Sequence, residues 1–381
     1  MKDTRSSQSL NRLSFRNNYE LRNLHNLSNP LISDKDDLSP LNDESFINKN
    51  KYDNSLSTTN TINNKSNNYA SHIKSKYLLI VSIIFMSITM LFVKLLFQSQ
   101  SEIQNSHNSL NFFSGFYMFI LSLIFIKVDN IKLDSKKNFN KSEFDYLIIR
   151  GLTGFFSMHF TIKAIKQMRF ISAATLFYLA PVLSTLIQML HKREKIKKID
   201  KICFLSCILI ILIFMIQDLI YHKYDLEYLN DSTMGIIYSV IAAILHSLNN
   251  SLDRKVSNEF HSYTIQFVIG TFSLILTPIF MSMSEDKFYM SPRIFVLNFI
   301  QGTSLFYGLY FCQKSIESNT LNINSSLHII TLFLAYVYTV VIFDEPFTTF
   351  DIISTIFVVI INFYMKLRAE ELETNDNADN L

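Results

Sequence analysis

The chain has 381 residues, of which 49% are hydrophobic, and its formal net charge is only +3. So small a charge does not indicate a nucleic-acid partner. The three cysteines lie within apolar runs, without the spacing of a disulfide framework or a CxxC metal site. The 7 glycines form no phosphate-binding loop, which excludes an ATP-driven pump.

The first part of the chain differs in character from the rest. Residues 1–72 are rich in Asn, Ser, Asp and Lys, and they show neither helical nor strand periodicity. We therefore predict a disordered cytosolic tail. Because the tail contains no apolar core of the kind that a cleaved secretory signal needs, the first hydrophobic segment is expected to act as a signal anchor.

From Tyr77 onward, apolar runs dominate the sequence. A helix that spans a bilayer needs about 20 mainly apolar residues, because backbone amides cannot stay unpaired in hydrocarbon. The third and fourth runs, and the eighth and ninth, are separated by a few polar residues and should form tight antiparallel hairpins. We predict an all-α integral membrane protein with ten transmembrane helices, over residues 77–97, 110–126, 145–165, 170–190, 202–220, 233–251, 263–283, 294–312, 321–343 and 352–365.

The basic residues of the short loops predict the orientation of these helices. With a cytosolic N-terminus, the Lys- and Arg-rich loops at 127–141 and 192–201 fall on the cytosolic side, as do the basic residues near 254 and 366. Lys166, Arg169, Lys287 and Arg293 lie on the opposite side and run against this trend, but they are outnumbered. We therefore expect both termini in the cytosol.

An internal repeat divides the apolar part into two halves. Residues 149–194 align without a gap on residues 300–345 after a shift of about 151 positions, with identities that include Gly151 with Gly302. With five helices per half, the second half enters the membrane from the opposite side, so the halves form an inverted pair typical of secondary transporters. The predicted organisation is the tail at 1–72, five-helix repeats at 73–222 and 223–367, and an acidic C-terminal tail at 368–381.

The third and fourth helices carry the motifs of a known family. They combine Arg150 and Gly151 near the start, Gly154 one turn on, Pro181 within the second helix and Glu194 just after it. This pattern resembles the ten-helix drug/metabolite transporter superfamily, specifically its EamA-like members, and the resemblance covers about residues 77–367. It implies two related five-helix units and a transport function, without specifying the solute.

The second half follows the same pattern more loosely. Gly302, Ser325, Ser326 and Glu345 carry the likeness there. The departures are Leu332 in place of the mid-helix proline, and Arg193 and Asp344 where a glycine usually precedes the terminal acid.

Polar side chains inside the spans are candidates for lining a substrate cavity. A charge at the bilayer centre costs about 2.5–3.5 kcal/mol on insertion scales and normally faces a cavity or a partner. In the sixth helix, His246 and Asn249 share one face with Asn250 and Arg254, and the ninth helix carries a similar stripe. The candidates are Lys94, Arg150, His159, Tyr178, His246, Asn249, Asn324 and His328.

Each candidate also has a simpler explanation. Snorkelling to the membrane interface accounts equally well for Lys94, and anchoring at the interface for Arg150. Interhelical hydrogen bonding would account for the others taken singly. His159 stands about half a turn away from Arg150 on the third helix, so the two side chains are not expected to face one cavity equally.

Glu194, Glu345 and Pro181 are interpreted as structural residues. Each acid falls at a membrane boundary before the next helix, where a carboxylate meets the positive end of the helix dipole, and Pro181 is expected to kink the fourth helix. We expect no catalytic residue. We also expect no metal site, because His159, His246 and His328 lack ligand spacing and an accompanying carboxylate cluster.

Together these features predict a secondary transporter that moves a small metabolite or drug-like solute by alternating access, and not an enzyme. The motive force would come from the solute gradient, exchange or proton coupling, with His246 or His328 as candidate proton carriers. The expected partners are the solute and the lipid bilayer, with no nucleic acid and no cofactor, and a homodimer is compatible with the sequence. A non-transporting membrane scaffold or receptor and an intramembrane lipid-modifying enzyme stay open as alternatives.

Overall fold

The architecture comes from a computed structural model that describes residues 73–98, 107–131, 141–192, 197–221, 226–284, 291–317, 324–345 and 348–379. The predicted tail at 1–72 and the predicted cap Glu194 lie outside the described residues. The backbones of Asn324 and His328 are described, but their side chains are not.

The described residues form helices and no strand. Within the described residues, every predicted apolar segment is mainly helical, and the fourth segment is divided into two helices. In chain order the helices are α1 (Ile73–Gln98), α2 (His107–Val128), α3 (Lys141–Gln167), α4 (Phe170–Phe177), α5 (Ala180–Lys192), α6 (Lys198–Tyr221), α7 (Leu226–Glu259), α8 (Ser262–Ser284), α9 (Pro292–Glu317), α10 (Asn324–Val341) and α11 (Thr349–Asp379).

Seven helical stretches within the described residues are long and apolar enough to cross a membrane. They are Ile73–Gln98, His107–Val128, Phe170–Ile187, Lys198–Gln217, Asn230–Ser257, Ser262–Ser284 and Pro292–Ile316, and two shorter apolar helices follow at Ile330–Val341 and Thr349–Met365. The protein is therefore a multi-pass membrane protein, and the part that the structure describes is helical without strands.

The surface of α6 has the character of a lipid-facing helix. Ile202, Leu205 and Leu209 each expose half or more of their surface. In water such a continuous apolar face would be unfavourable, because apolar surface is stabilised by leaving water. In a bilayer the same face meets hydrocarbon.

The most extensive helix contacts join one half of the chain to the other. α3 packs mainly against α7, α2 packs against α8 and α9, and α6 packs against α11. The two halves are therefore interleaved in space rather than folded as separate bodies.

Small residues let α2 and α8 approach closely. A Cβ atom on Gly270 would lie 2.8 Å from the backbone nitrogen of Phe119 and 3.0 Å from the carbonyl oxygen of Gly115. Nearby, the Ser273 hydroxyl donates a hydrogen bond of 2.8 Å to the carbonyl of Asn111. Close contact between small residues is a main source of helix association in membranes.

We expect Gly270→Ala to destabilise the protein by about 1–3 kcal/mol, the usual cost of overpacking. The atoms that the new methyl group would meet belong to the α2 backbone, so the two helices must separate. Thermal unfolding of the purified protein in detergent measures the effect. Gly235→Ala is the control, because a Cβ there meets nothing closer than 3.1 Å, and an equal loss in both variants would contradict the prediction.

Candidate substrate cavity

A cavity of about 130 Å³ lies between helices of both halves. Most of its lining comes from α1, α3, α4, α7 and α9. Along α3 the lining runs from Arg150 to Ile165, a length of roughly 22 Å at 1.5 Å per residue. The cavity is therefore elongated along the helix axes.

The polar end of the cavity is built around a buried ion pair. The Arg150 Nε atom donates to Asp253 Oδ1 at 2.5 Å, and Arg150 Nη2 donates to Asp253 Oδ2 at 3.1 Å. Arg150 is 3% exposed and Asp253 is 4% exposed. Beside this pair, the Thr153 hydroxyl donates to Asn249 Oδ1 at 2.6 Å, which orients the amide of this predicted cavity residue.

Several polar atoms at the cavity wall have no hydrogen-bond partner among the described residues. They are Arg150 Nη1, both amide atoms of Gln313 and Gln301 Nε2. Gln313 and Gln301 are almost completely buried. Because buried polar groups normally have a partner, these atoms mark places where a bound molecule could complete the hydrogen bonding.

The opposite end of the cavity is apolar. Met90 and Val93 of α1, Ile162 and Ile165 of α3 and Phe177 of α4 line this end and belong to one hydrophobic cluster. The cavity thus changes along its length from a charged and amide-rich end to a hydrocarbon-like end.

The break between α4 and α5 lies at the cavity wall. The predicted kink residue Pro181 is the second residue of α5, and it cannot donate a backbone hydrogen bond into the preceding turn. α4 therefore ends at Phe177, and Tyr178, one of the candidate cavity residues, lies at the cavity wall.

Side chains from two other helices satisfy the carbonyl groups at this break. Asn362 Nδ2 of α11 donates to the Tyr178 carbonyl at 3.0 Å, and the Ser247 hydroxyl of α7 donates to the Ala180 carbonyl at 2.7 Å. Unpaired backbone groups are costly at membrane depth, so a broken helix needs such partners.

Lys94 does not line the cavity. Its ammonium group lies 3.1 Å from Glu345 Oε1 and donates to the Met168 carbonyl at 3.1 Å. Lys94 follows the cavity residue Val93, so these contacts lie directly beyond the apolar end. The side chain thus holds three segments together instead of snorkelling or contacting a solute.

Glu345 caps a helix, but not the one that follows it in the sequence. Its Oε2 atom accepts a hydrogen bond of 3.0 Å from the backbone nitrogen of Phe170, the first residue of α4. α11 is capped instead by Thr348 and Asp351, which exchange side-chain and backbone hydrogen bonds. Asp344, which replaces the usual glycine, has a φ of 50°, and this left-handed conformation is one that Asp tolerates better than most residues.

Arg169 forms a second contact between the halves at the same end. Its guanidinium group donates to both carboxylate oxygens of Asp351, at 2.9 and 3.2 Å. This pairing accounts for one of the basic residues that run against the charge trend. We refer to Lys94, Glu345, Arg169 and Asp351 together as the latch.

The three predicted histidines have different surroundings. His246 lines the cavity and its ring centroid lies 4.9 Å from that of Phe177. His159 is not among the lining residues, because it points toward α2, where its Nδ1 atom is 2.7 Å from Asn111 Nδ2. Arg150 and His159 thus contact different helices, α7 and α2. The side chain of His328 lies outside the described residues.

Sequence reasoning missed Asp253, Gln301 and Gln313. Asp253 follows His246 by seven positions, so it lies on the same helix face and the periodicity could have revealed it. The two glutamines carry no comparable signal, because a single amide in an apolar helix can face a neighbouring helix as readily as a cavity.

Fold and cavity together define a multi-pass membrane protein with an internal, partly polar chamber. Residues 74–216 match the model of the EamA-like transporter family. This match confirms the predicted resemblance over the first half of the chain. The family consists of membrane transporters of the drug/metabolite type rather than enzymes.

A solved structure is similar to the chain over most of its length. This structure, described as "Crystal structure of protein", aligns with a TM-score of 0.52 and 13% sequence identity, covering 77% of this chain and 98% of that chain. At this identity the likeness concerns the fold alone. Comparison with curated proteins gives no match.

Proposed function

We propose that the protein is a secondary transporter that carries a small metabolite or drug-like solute through the cavity by alternating access. The observation that carries this proposal is the cavity itself, which lies between helices of both halves and has buried polar groups at its wall. A solute bound there would contact both halves, so a relative movement of the halves could expose it to either side.

The helix boundaries support the proposed ten-helix, inverted-repeat organisation. α9 begins at Pro292, which is 151 positions after Lys141 at the start of α3, and α11 begins at Thr349, 151 positions after Lys198 at the start of α6. The same shift relates the sequence repeat. α3 and α9 can therefore be treated as repeat partners, as can α6 and α11.

Ion pairs at the two helix starts support the same organisation. Asp200 of α6 and Asp351 of α11 are also 151 positions apart, and each is completely buried. Asp351 pairs with Arg169, and Asp200 lies 3.6 Å from Arg368. In an inverted arrangement these pairs would lie at opposite ends of the bundle, where each could close one side in turn.

The proposed orientation places both termini in the cytosol and the latch on the opposite side. The basic loops support this assignment, and the pairing of Arg169 with Asp351 removes one exception to it. In this proposal, the latch holds the apolar end of the cavity shut on the side away from the cytosol.

We expect purified protein in liposomes to catalyse exchange of at least one solute from a panel of amino acids, sugars, nucleosides, organic anions and cationic drugs. Ser157→Phe should abolish this exchange, because Ser157 is a small residue at the cavity wall and a bulky ring would fill the space. Ser206→Phe, on the lipid-facing helix α6, should exchange normally. No exchange by the wild type in either direction, at any imposed pH gradient, would refute the proposal.

A further inference from the structure

The polar end of the cavity has unused hydrogen-bonding capacity, and most of it is donor capacity. Arg150 Nη1 and the Gln313 amide have no partner among the described residues. Gln313 and the neighbouring Cys312 line the same cavity as Arg150 and Asp253, so this end of α9 belongs to the wall that also contains the ion pair. Gln301 lies twelve positions earlier on α9, roughly 18 Å away along the helix, and belongs to another level of the cavity.

The Arg150 guanidinium is held in place before any molecule binds. Asp253 holds the Arg150 guanidinium by two hydrogen bonds, and Nη1 has no partner among the described residues. Arg150 is 3% exposed and Gln313 is 1% exposed. A buried amide without a partner costs free energy, and here the cost falls on groups that line a cavity.

The charges at this end cancel. Among the lining residues that the structure describes, the Asp, Glu, Lys and Arg side chains are those of Arg150 and Asp253, one of each sign. A solute with a net charge would bring an uncompensated charge into a buried, largely apolar space, which is strongly unfavourable. A solute without net charge avoids this cost.

The rest of the cavity favours a solute with an apolar portion. Val93 and Ile165 mark the far end, and Met158 and Ile162 lie between that end and the ion pair. Burial of hydrocarbon along this surface would contribute about 25 cal/mol per Å² of apolar area.

We propose that the cavity binds a solute of zero net charge whose head offers a carbonyl or carboxylate oxygen to Arg150 Nη1 and the Gln313 amide, and whose apolar body extends toward Val93 and Ile165. The inference rests on the proposed transport function and specifies its substrate class. Two kinds of head share this chemistry. One is a zwitterion, whose ammonium group uses the remaining lone pairs of Asp253, and the other is an uncharged amide.

A matched set of compounds with similar branched apolar bodies tests the inference. The set is leucine (zwitterion), N-acetyl-leucine amide (uncharged), N-acetyl-leucine (anion) and 3-methylbutyl-trimethylammonium (cation). Binding to the purified full-length protein is measured from the shift of the unfolding temperature with compound concentration, and transport is measured separately in liposomes. We expect at least one of the two net-neutral compounds to bind about tenfold or more tightly than either charged compound.

The outcomes separate this inference from the proposed function. Stronger binding of the zwitterion or of the uncharged amide supports the inference and identifies the head. Equal or stronger binding of a charged compound, or no binding of either net-neutral compound, overturns it. Binding of a net-neutral compound with no exchange of any solute of the panel would refute the transport function and leave the inferred binding class standing. Exchange of a charged solute, with no binding of either net-neutral compound, would leave the transport function standing and overturn the inference.

Gln313→Leu tests the site directly. We expect about tenfold weaker binding of the net-neutral compound, because one hydrogen bond to its head is lost, with an unchanged or higher unfolding temperature. Asn298→Leu is the matched control, since Asn298 is a buried amide on the same helix outside the described cavity lining. Unchanged binding by Gln313→Leu would mean that the Gln313 amide does not contact the bound compound, contrary to the inference.

Discussion

Arg150→Met is expected to destabilise the protein by about 3–5 kcal/mol, because it leaves the carboxylate of Asp253 buried without its partner. Asp253→Leu should cost a similar amount by leaving the guanidinium unpaired. The double variant should recover most of this loss, since a buried ion pair can often be replaced by apolar residues at little cost. The singles and the double together form a thermodynamic cycle, measured by unfolding in detergent.

Transport measurements on the same variants distinguish a purely structural role of the Arg150–Asp253 ion pair from a role in solute binding. If Arg150 and Asp253 only hold α3 against α7, the double variant should transport normally once its stability is restored. We expect it to remain inactive, because the proposed solute has lost its donor and its charge complement. If the losses of the two single variants simply add in the double variant, the two side chains are not energetically coupled.

Weakening the latch is expected to open the apolar end of the cavity. Lys94→Met combined with Glu345→Gln removes one ion pair between the halves, and Asp351→Asn weakens the second. If the pairs stabilise the closed state by about 1.4 kcal/mol, the open population should rise about tenfold. The measurement is the rate at which a membrane-impermeant maleimide labels a cysteine placed at Val93, in protein whose three native cysteines have been replaced by alanine.

The repeat partner of Asp351 offers a matched control for the latch. Asp200→Asn removes the carboxylate that lies near Arg368, which alternating access would place at the other end of the bundle. It should not increase labelling at position 93, and it should lower labelling if the two ends open in turn. Equal labelling in all variants would mean that the latch contacts are static packing.

The helical segments illustrate what local sequence can predict. Within the described residues, each apolar run between 77 and 365 is mainly helical, because the bilayer requires every span to satisfy its own backbone and to present an apolar surface. The helix break at Pro181 could also be predicted, because proline has no backbone N–H to donate to the preceding turn of a helix. Likewise, the shared face of His246 and Asn249 follows from helix geometry alone.

The partners of the charged residues could not be predicted in the same way. The sequence offered Lys94 as a cavity residue or an interfacial anchor, and Glu345 as the cap of its own following helix. In the structure they contact each other and the start of α4. Nothing local distinguishes these outcomes, because a charge near a helix end has the same sequence signature whether it faces lipid headgroups, solvent or another helix.

The sequence by itself therefore determined the helical membrane class, the repeat and the candidate polar faces, because each depends on composition and periodicity within one segment. The tertiary structure decided which polar residues line the cavity and which ones hold the halves together. Arg150 pairs with Asp253, which is 103 positions away in the sequence, and Arg169 pairs with Asp351, which is 182 positions away. Such contacts depend on how helices from the two halves pack, a property that no single segment contains.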